Sequence, residues 1–206
     1  MKVTKIFSII TILFITIFAF GSLKASAASL DLSEQQKLKY YKQYKEIVEE
    51  INSGNPNATL ELVPFEEYKS EDYVELSEFK KYATERASVN FVDTSESESG
   101  IQPRSIAYGT KTKSVNSNGA IATITVKGSF ETQYESYYQR QMFTRINSIT
   151  SSTSIGSWSQ TDYIPSLIDG GRTYSILVGG KLTINSLTSN HNVSVQFYCD
   201  SKGSIS

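Results

Sequence analysis

Across positions 174–184 every second residue is apolar or glycine: Tyr174, Ile176, Val178, Gly180, Leu182 and Ile184. A period of two sustained over that length fits a β-strand with one buried face and does not fit a helix. The pattern recurs. Val193, Val195, Phe197 and Cys199 alternate with Ser194, Gln196, Tyr198 and Asp200, and Ala122, Ile124, Val126, Gly128 and Phe130 alternate with Thr123, Thr125, Lys127 and Ser129. Asn116-Ser117-Asn118-Gly119 and Asp169-Gly170-Gly171 are turn signals between such runs. Gly179 and Gly180 mark a bend or bulge inside one strand. Residues 157–164 read as another strand. Residues 131–142 are ambiguous: they continue a strand, yet Tyr134, Tyr138 and Met142 also fall at helical spacing. Strand is favoured there. Six or seven short strands within 105–206 predict an antiparallel β-sandwich.

The preceding segment obeys a different period. Leu38, Tyr41, Tyr44, Val48 and Ile51 share one helical face, with Ser33 and Gln36 forming a capping box before them and Gly54-Asn55-Pro56 ending the helix. Leu60 and Leu62 have strand parity, and Pro64 confines that strand to an edge. A second helix is expected after Ser77 as its cap, with Phe79, Tyr82, Ala83 and Ala87 on its apolar side. The expected class is therefore α+β, a small helical unit followed by the sandwich.

The charge divides along the same line. Residues 28–99 carry 8 basic and 16 acidic residues, whereas 100–206 carry 9 basic and 5 acidic. Residues 93–104, which open on Asp93-Thr94-Ser95-Glu96-Ser97-Glu98-Ser99-Gly100, form the expected flexible linker. At the other end, Lys2 and Lys5, an apolar run from Ile6, and Ala25-Ser26-Ala27 have the order of a secretory signal peptide cut after Ala27. The expected organisation is thus 1–27 signal, 28–92 acidic helical unit, 93–104 linker and 105–206 β domain, in a secreted, extracellular protein. No stable membrane insertion is expected after cleavage.

The run 38–87, written LKYYKQYKEIVEEIN and then TLELVPFEEYKSEDYVELSEFKKYATERA, resembles a segment that follows the signal peptide in uncharacterised secreted proteins of Gram-positive bacteria. The resemblance implies a bacterial, secreted origin. It brings no catalytic residues and no activity.

Composition removes several functions. With 20 Lys and Arg against 21 Asp and Glu, the chain lacks the basic excess of a nucleic-acid binder. One Cys and one His cannot build a Cys₄ or Cys₂His₂ zinc centre. The acidic pairs Glu66-Glu67 and Glu71-Asp72 lack a calcium-loop pattern and read as a solvated face. His191 and Cys199, eight residues apart at the final strand, would be about 26 Å apart along it, too far for a dyad. His191, between Asn190 and Asn192, is expected in an exposed turn, and Cys199, on the apolar parity, is expected to be buried. No motif assigns catalytic residues, a metal or a cofactor. What remains is binding. Tyr198, Trp158 and Tyr138 are the candidate binding residues, because exposed aromatic faces bury area at small entropic cost. The expected function is a non-enzymatic extracellular binding module for cell-wall polymer, a glycan or another extracellular protein. The alternatives are a secreted hydrolase with a carboxylate-based site, and a secreted toxin or inhibitor whose N-terminal unit is a pro-region.

Overall fold

The computed structural model describes residues 30–89, 91–93, 98–100, 106–117 and 120–206. The expected signal peptide, 1–27, lies outside the described residues. Among the described residues two α-helices, two short 3-10 turns and nine strands form, and every strand pairing is antiparallel. The helices are α1 (Glu34–Gly54) and α2 (Leu76–Ala87). The strands are β1 (Leu60–Leu62), β2 (Phe91–Asp93), β3 (Glu98–Gly100), β4 (Ile106–Ser117), β5 (Ala120–Glu135), β6 (Arg140–Thr153), β7 (Ser157–Ile168), β8 (Thr173–Ile184) and β9 (Leu187–Tyr198). One sheet runs β1-β9-β8-β7 and the other β2-β4-β5-β6, with β3 also on β4. The class is α+β, and the two sheets are separate.

Alternation decides what faces inward. Ile176, Val178 and Leu182 of β8 are buried, as are Val193, Val195 and Phe197 of β9 and Ile124, Val126 and Phe130 of β5. One buried cluster draws on both sheets and includes Cys199 and Ile205, which an isolated bridge holds together. Burying side chains of this size is worth roughly 1.5–3 kcal/mol each. Phe130 sits at the centre, its ring 4.9 Å from those of Phe143 and Phe197.

Residues 131–142 resolve as strand, turn and strand. β5 runs to Glu135, and β6 starts at Arg140 with Glu135 as its partner. Within 93–104, expected as a linker, Glu98–Gly100 is strand β3, while 94–97 and 101–105 lie outside the described residues.

The helical unit has its own core, and that core joins the sheet. Tyr44 and Val48 of α1, Leu60, Tyr68, Tyr73, and Phe79 and Ala83 of α2 pack in one cluster with Leu187 of β9. β1 pairs with β9 in the register Leu60↔Ser189, so it is an edge strand, as Pro64 requires. Two details differ from the sequence reading. Leu38 is exposed, because the buried face of α1 centres on Tyr44 and Val48 and takes in Tyr40 and Ile47 instead. The cap of α2 is Glu75 rather than Ser77, and its side chain makes no capping bond. Among the described residues no helix is long and apolar enough to cross a membrane.

Candidate functional site

The β5–β6 turn, the β7–β8 turn and the C-terminal segment meet at one end of the molecule. The Gln141 N–H donates to Ser201 O at 3.2 Å, Phe143 N–H to Gly171 O at 3.0 Å, and Cys199 N–H to Arg172 O at 2.8 Å. The β7–β8 turn takes its form from positive φ at Asp169, Gly170 and Gly171 (52°, 64° and 94°), a run in which glycine carries little cost. Asp169 also accepts from the Thr173 hydroxyl at 2.8 Å. At the C-terminus, Tyr198 and Ser206 exchange backbone hydrogen bonds of 2.8 and 2.9 Å. Burial pushes the Asp200 carboxyl up, but N–H groups of Ser204, Lys202 and Gly203 outweigh it and hold the group below its ordinary value.

Four tyrosines stand out from this end. Tyr137 is 84% exposed, Tyr138 60%, Tyr134 54% and Tyr198 40%. The rings of Tyr137 and Tyr138 lie edge to face at 4.9 Å. Arg140 joins hairpin and C-terminus: its Nη2 donates to Cys199 O at 2.6 Å and to the Tyr198 hydroxyl at 3.3 Å, and its guanidinium lies 5.8 Å from the Tyr198 ring centroid. That arrangement restricts the Tyr198 ring and keeps a cation beside it. Tyr198, one of the three candidates from the sequence, is therefore held by Arg140, while Tyr138, another, lies two residues before that arginine and packs against Tyr137.

Trp158 is not part of this surface. It is half-buried against two core clusters, and its Nε1 donates to Ser151 Oγ at 2.7 Å. Its ring occupies the space over Gly180, where an added Cβ would fall 2.2 Å from a ring carbon. Ser151 also donates to Gln160 Oε1 at 2.6 Å, and Gln160 Nε2 donates to Ile149 O at 3.2 Å. Trp158 thus belongs to a polar clip between β6 and β7, away from the tyrosine end.

The reading of His191 is corrected. It lies inside β9, opposite Gly180, and is half-buried instead of exposed in a turn. The actual β8–β9 turn is Asn185-Ser186, with φ of 49° and 56°. His191 Nε2 is 2.7 Å from Ser189 Oγ. Burial, reinforced by nearby Arg86, pushes its pKa down to about 4. So low a value leaves a weak base, and Ser189 is itself buried. Cys199 is free and buried, and burial with the neighbouring Asp200 raises its thiol to about 11. A thiol so placed is a poor nucleophile.

The carboxylates of the β domain are engaged locally. Glu131 pairs with Arg145, Asp162 accepts from the Tyr163 N–H at 2.7 Å, and Glu135 accepts from the Tyr137 N–H at 3.2 Å. Among the described residues no group of three or more His, Cys, Asp and Glu side chains is placed to hold a metal ion. Outside the tyrosine end, Ile164, 65% exposed, faces its register partner Leu177 across β7 and β8, a smaller apolar pair. Comparison with protein-family models, with curated proteins and with solved structures finds no match.

Proposed function

We propose that this chain is a secreted, non-enzymatic extracellular binding module. Its two sheets close on each other as a β-sandwich, and its ligand surface is the end formed by Tyr134, Tyr137, Tyr138, Tyr198 and Arg140. The observation that carries the reading is that four exposed tyrosines stand at the end where two turns and the C-terminal segment cross-link, with Arg140 on Tyr198 and Tyr137 against Tyr138. Tyrosine offers a rigid, amphipathic face with few torsions to immobilise, which suits the planar faces of sugar rings. Arg140 adds a donor for an anionic substituent. The ligand class is a cell-wall polymer or glycan. The secreted location rests on the residue pattern of 1–27.

The test is retention of the mature chain on cell-wall material. Wild type should be retained, and Tyr198→Ala and Tyr138→Ala should weaken retention while leaving the circular dichroism spectrum unchanged. Passage of the wild type through wall, glycan and protein surfaces without retention would refute the reading.

A further inference from the structure

At the opposite end, α2 lies against the β8–β9 hairpin, and the contact between them holds a buried charge. Arg86 is 2% exposed. Its Nη2 donates to Leu182 O of β8 at 3.0 Å. Its Nε and Nη1 are buried and, among the described residues, have no hydrogen-bond partner. No salt bridge to Arg86 is present among them either: Glu50 is bonded to Lys80, Glu61 to Lys181, and Asp72 accepts from the Ser186 hydroxyl. The phenol of Tyr82, one turn back on α2, donates to Ile184 O at 2.9 Å, and burial raises its pKa to about 12, so it is neutral.

A guanidinium is not relieved of its charge by burial, because its pKa stays far above any working pH even when desolvation lowers it, as it does here. A buried cation with open donors is among the costliest arrangements a fold can hold. Among the described residues, the groups shown beside it are the wrong kind to pay that cost alone: a carbonyl, a neutral phenol, and the Ser189–His191 pair, whose imidazole is also kept neutral. The missing component is negative charge carrying more than one acceptor oxygen.

We propose that Arg86, with Ser189 and His191 beside it, holds a small oxyanion of the phosphate or carboxylate type, and that this anion fastens the helical unit to the β8–β9 hairpin. The site is separate from the tyrosine end and does not depend on the binding function assigned there. Because Arg86 is enclosed, the anion is taken up as α2 docks and exchanges only when α2 lifts away.

The experiment uses the mature chain, unfolded and refolded by dialysis into a buffer whose only anion is chloride. The melting temperature is then followed as inorganic phosphate or acetate is added during refolding at constant ionic strength. The expected result is a saturable rise of several degrees with one of the two, phosphate marking the phosphate class and acetate the carboxylate class. Arg86→Met should abolish the rise, so that any general salting effect of these anions is subtracted. Arg86→Lys should shift half-saturation to about tenfold higher concentration, the factor lost with one charge-assisted hydrogen bond. No rise with either anion, as when a carboxylate of this chain already pairs with Arg86, overturns the proposal, and so does an equal rise in Arg86→Met. Should Arg86→Met fail to fold, the wild type still decides. Nuclear magnetic resonance of added phosphate (phosphorus) and acetate (isotope-labelled carbon) should show a bound, slowly exchanging signal for one of them, and its absence for both overturns the proposal.

Discussion

The two ends of the molecule use tyrosine in opposite ways. In the helical unit Tyr44 is fully buried, with its ring 4.0 Å from that of Phe79 and its hydroxyl both donating to Val74 O and accepting from the Val74 N–H. Tyr68 and Tyr73 pack beside it, their rings 4.8 Å apart. At the β5–β6 hairpin end, Tyr134, Tyr137 and Tyr138 are exposed, and the rings of Tyr137 and Tyr138 lie against each other. The same residue type serves as structure where the chain turns it inward, on α1 at Tyr44 and between the two helices at Tyr68 and Tyr73. It is left as surface where a turn carries it beyond the sheet. Composition alone cannot separate these uses; helical periodicity does so for Tyr44, whereas Tyr68 and Tyr73 are buried by the packing of the segment between the helices.

This contrast can be broken most forcefully in the helical unit. Tyr44→Ala should cost about 3–5 kcal/mol in denaturant unfolding, since it opens a cavity beside Phe79, Tyr68 and Tyr73. Tyr44→Phe keeps the ring and should cost about 1–3 kcal/mol, leaving the Val74 groups unpartnered. A cost below about 0.5 kcal/mol for both would mean that the helical core is not structural in this sense.

A pH effect of similar size should arise where the helical unit meets the sheet. His191 has an ordinary value of 6.5 and is pushed down to about 4 in the folded state. The unfolded chain therefore binds the proton more tightly between those values. Stability is unaffected above pH 6.5, falls as pH drops through that window, and has lost on the order of 3 kcal/mol below pH 4. His191→Gln should flatten that part of the profile in urea titrations at successive pH values. An unchanged slope would show that His191 is not buried as described.

Gly180→Ala should be milder, about 1–3 kcal/mol, because the new methyl displaces the Trp158 ring from its place over β8. Tryptophan fluorescence reports the same displacement, since the chain has one Trp. The smallest stability effect is expected at the tyrosine end, where the double change Tyr137→Ala and Tyr138→Ala should move the unfolding midpoint by less than about 0.5 kcal/mol equivalent.

Particular residues show where the sequence was legible and where it was not. The alternation in 174–184 and 193–199 identified β8 and most of β9 because a sheet with one buried face imposes that period. It missed the start of β9. Asn190 and Asn192 look like turn residues, whereas the two-residue turn is Asn185-Ser186, in left-handed backbone without the usual glycine. The packing of Trp158 over Gly180 was not legible, because nothing local to the tryptophan reveals a hollow that lies across the sheet. Tyr138 and Tyr198 could be picked out from composition and parity. The contact of Tyr198 with Arg140 depends on where the C-terminal segment folds back, and no local pattern encodes that. Arg86 escaped notice because an arginine in the last turn of a helix ordinarily reads as a solvated, dipole-complementing residue.

The binding claim is tested most directly by titrating cell-wall glycan against three proteins: wild type, the double variant Tyr138→Ala with Tyr198→Ala, and the control Ile164→Ser with Leu177→Ser on the outer face of β7 and β8. The account expects the tyrosine variant to lose at least about tenfold in affinity, corresponding to roughly 1.4 kcal/mol, with the control equal to wild type. Equal affinity for the wild type and the tyrosine variant, or a loss confined to the control, would contradict it.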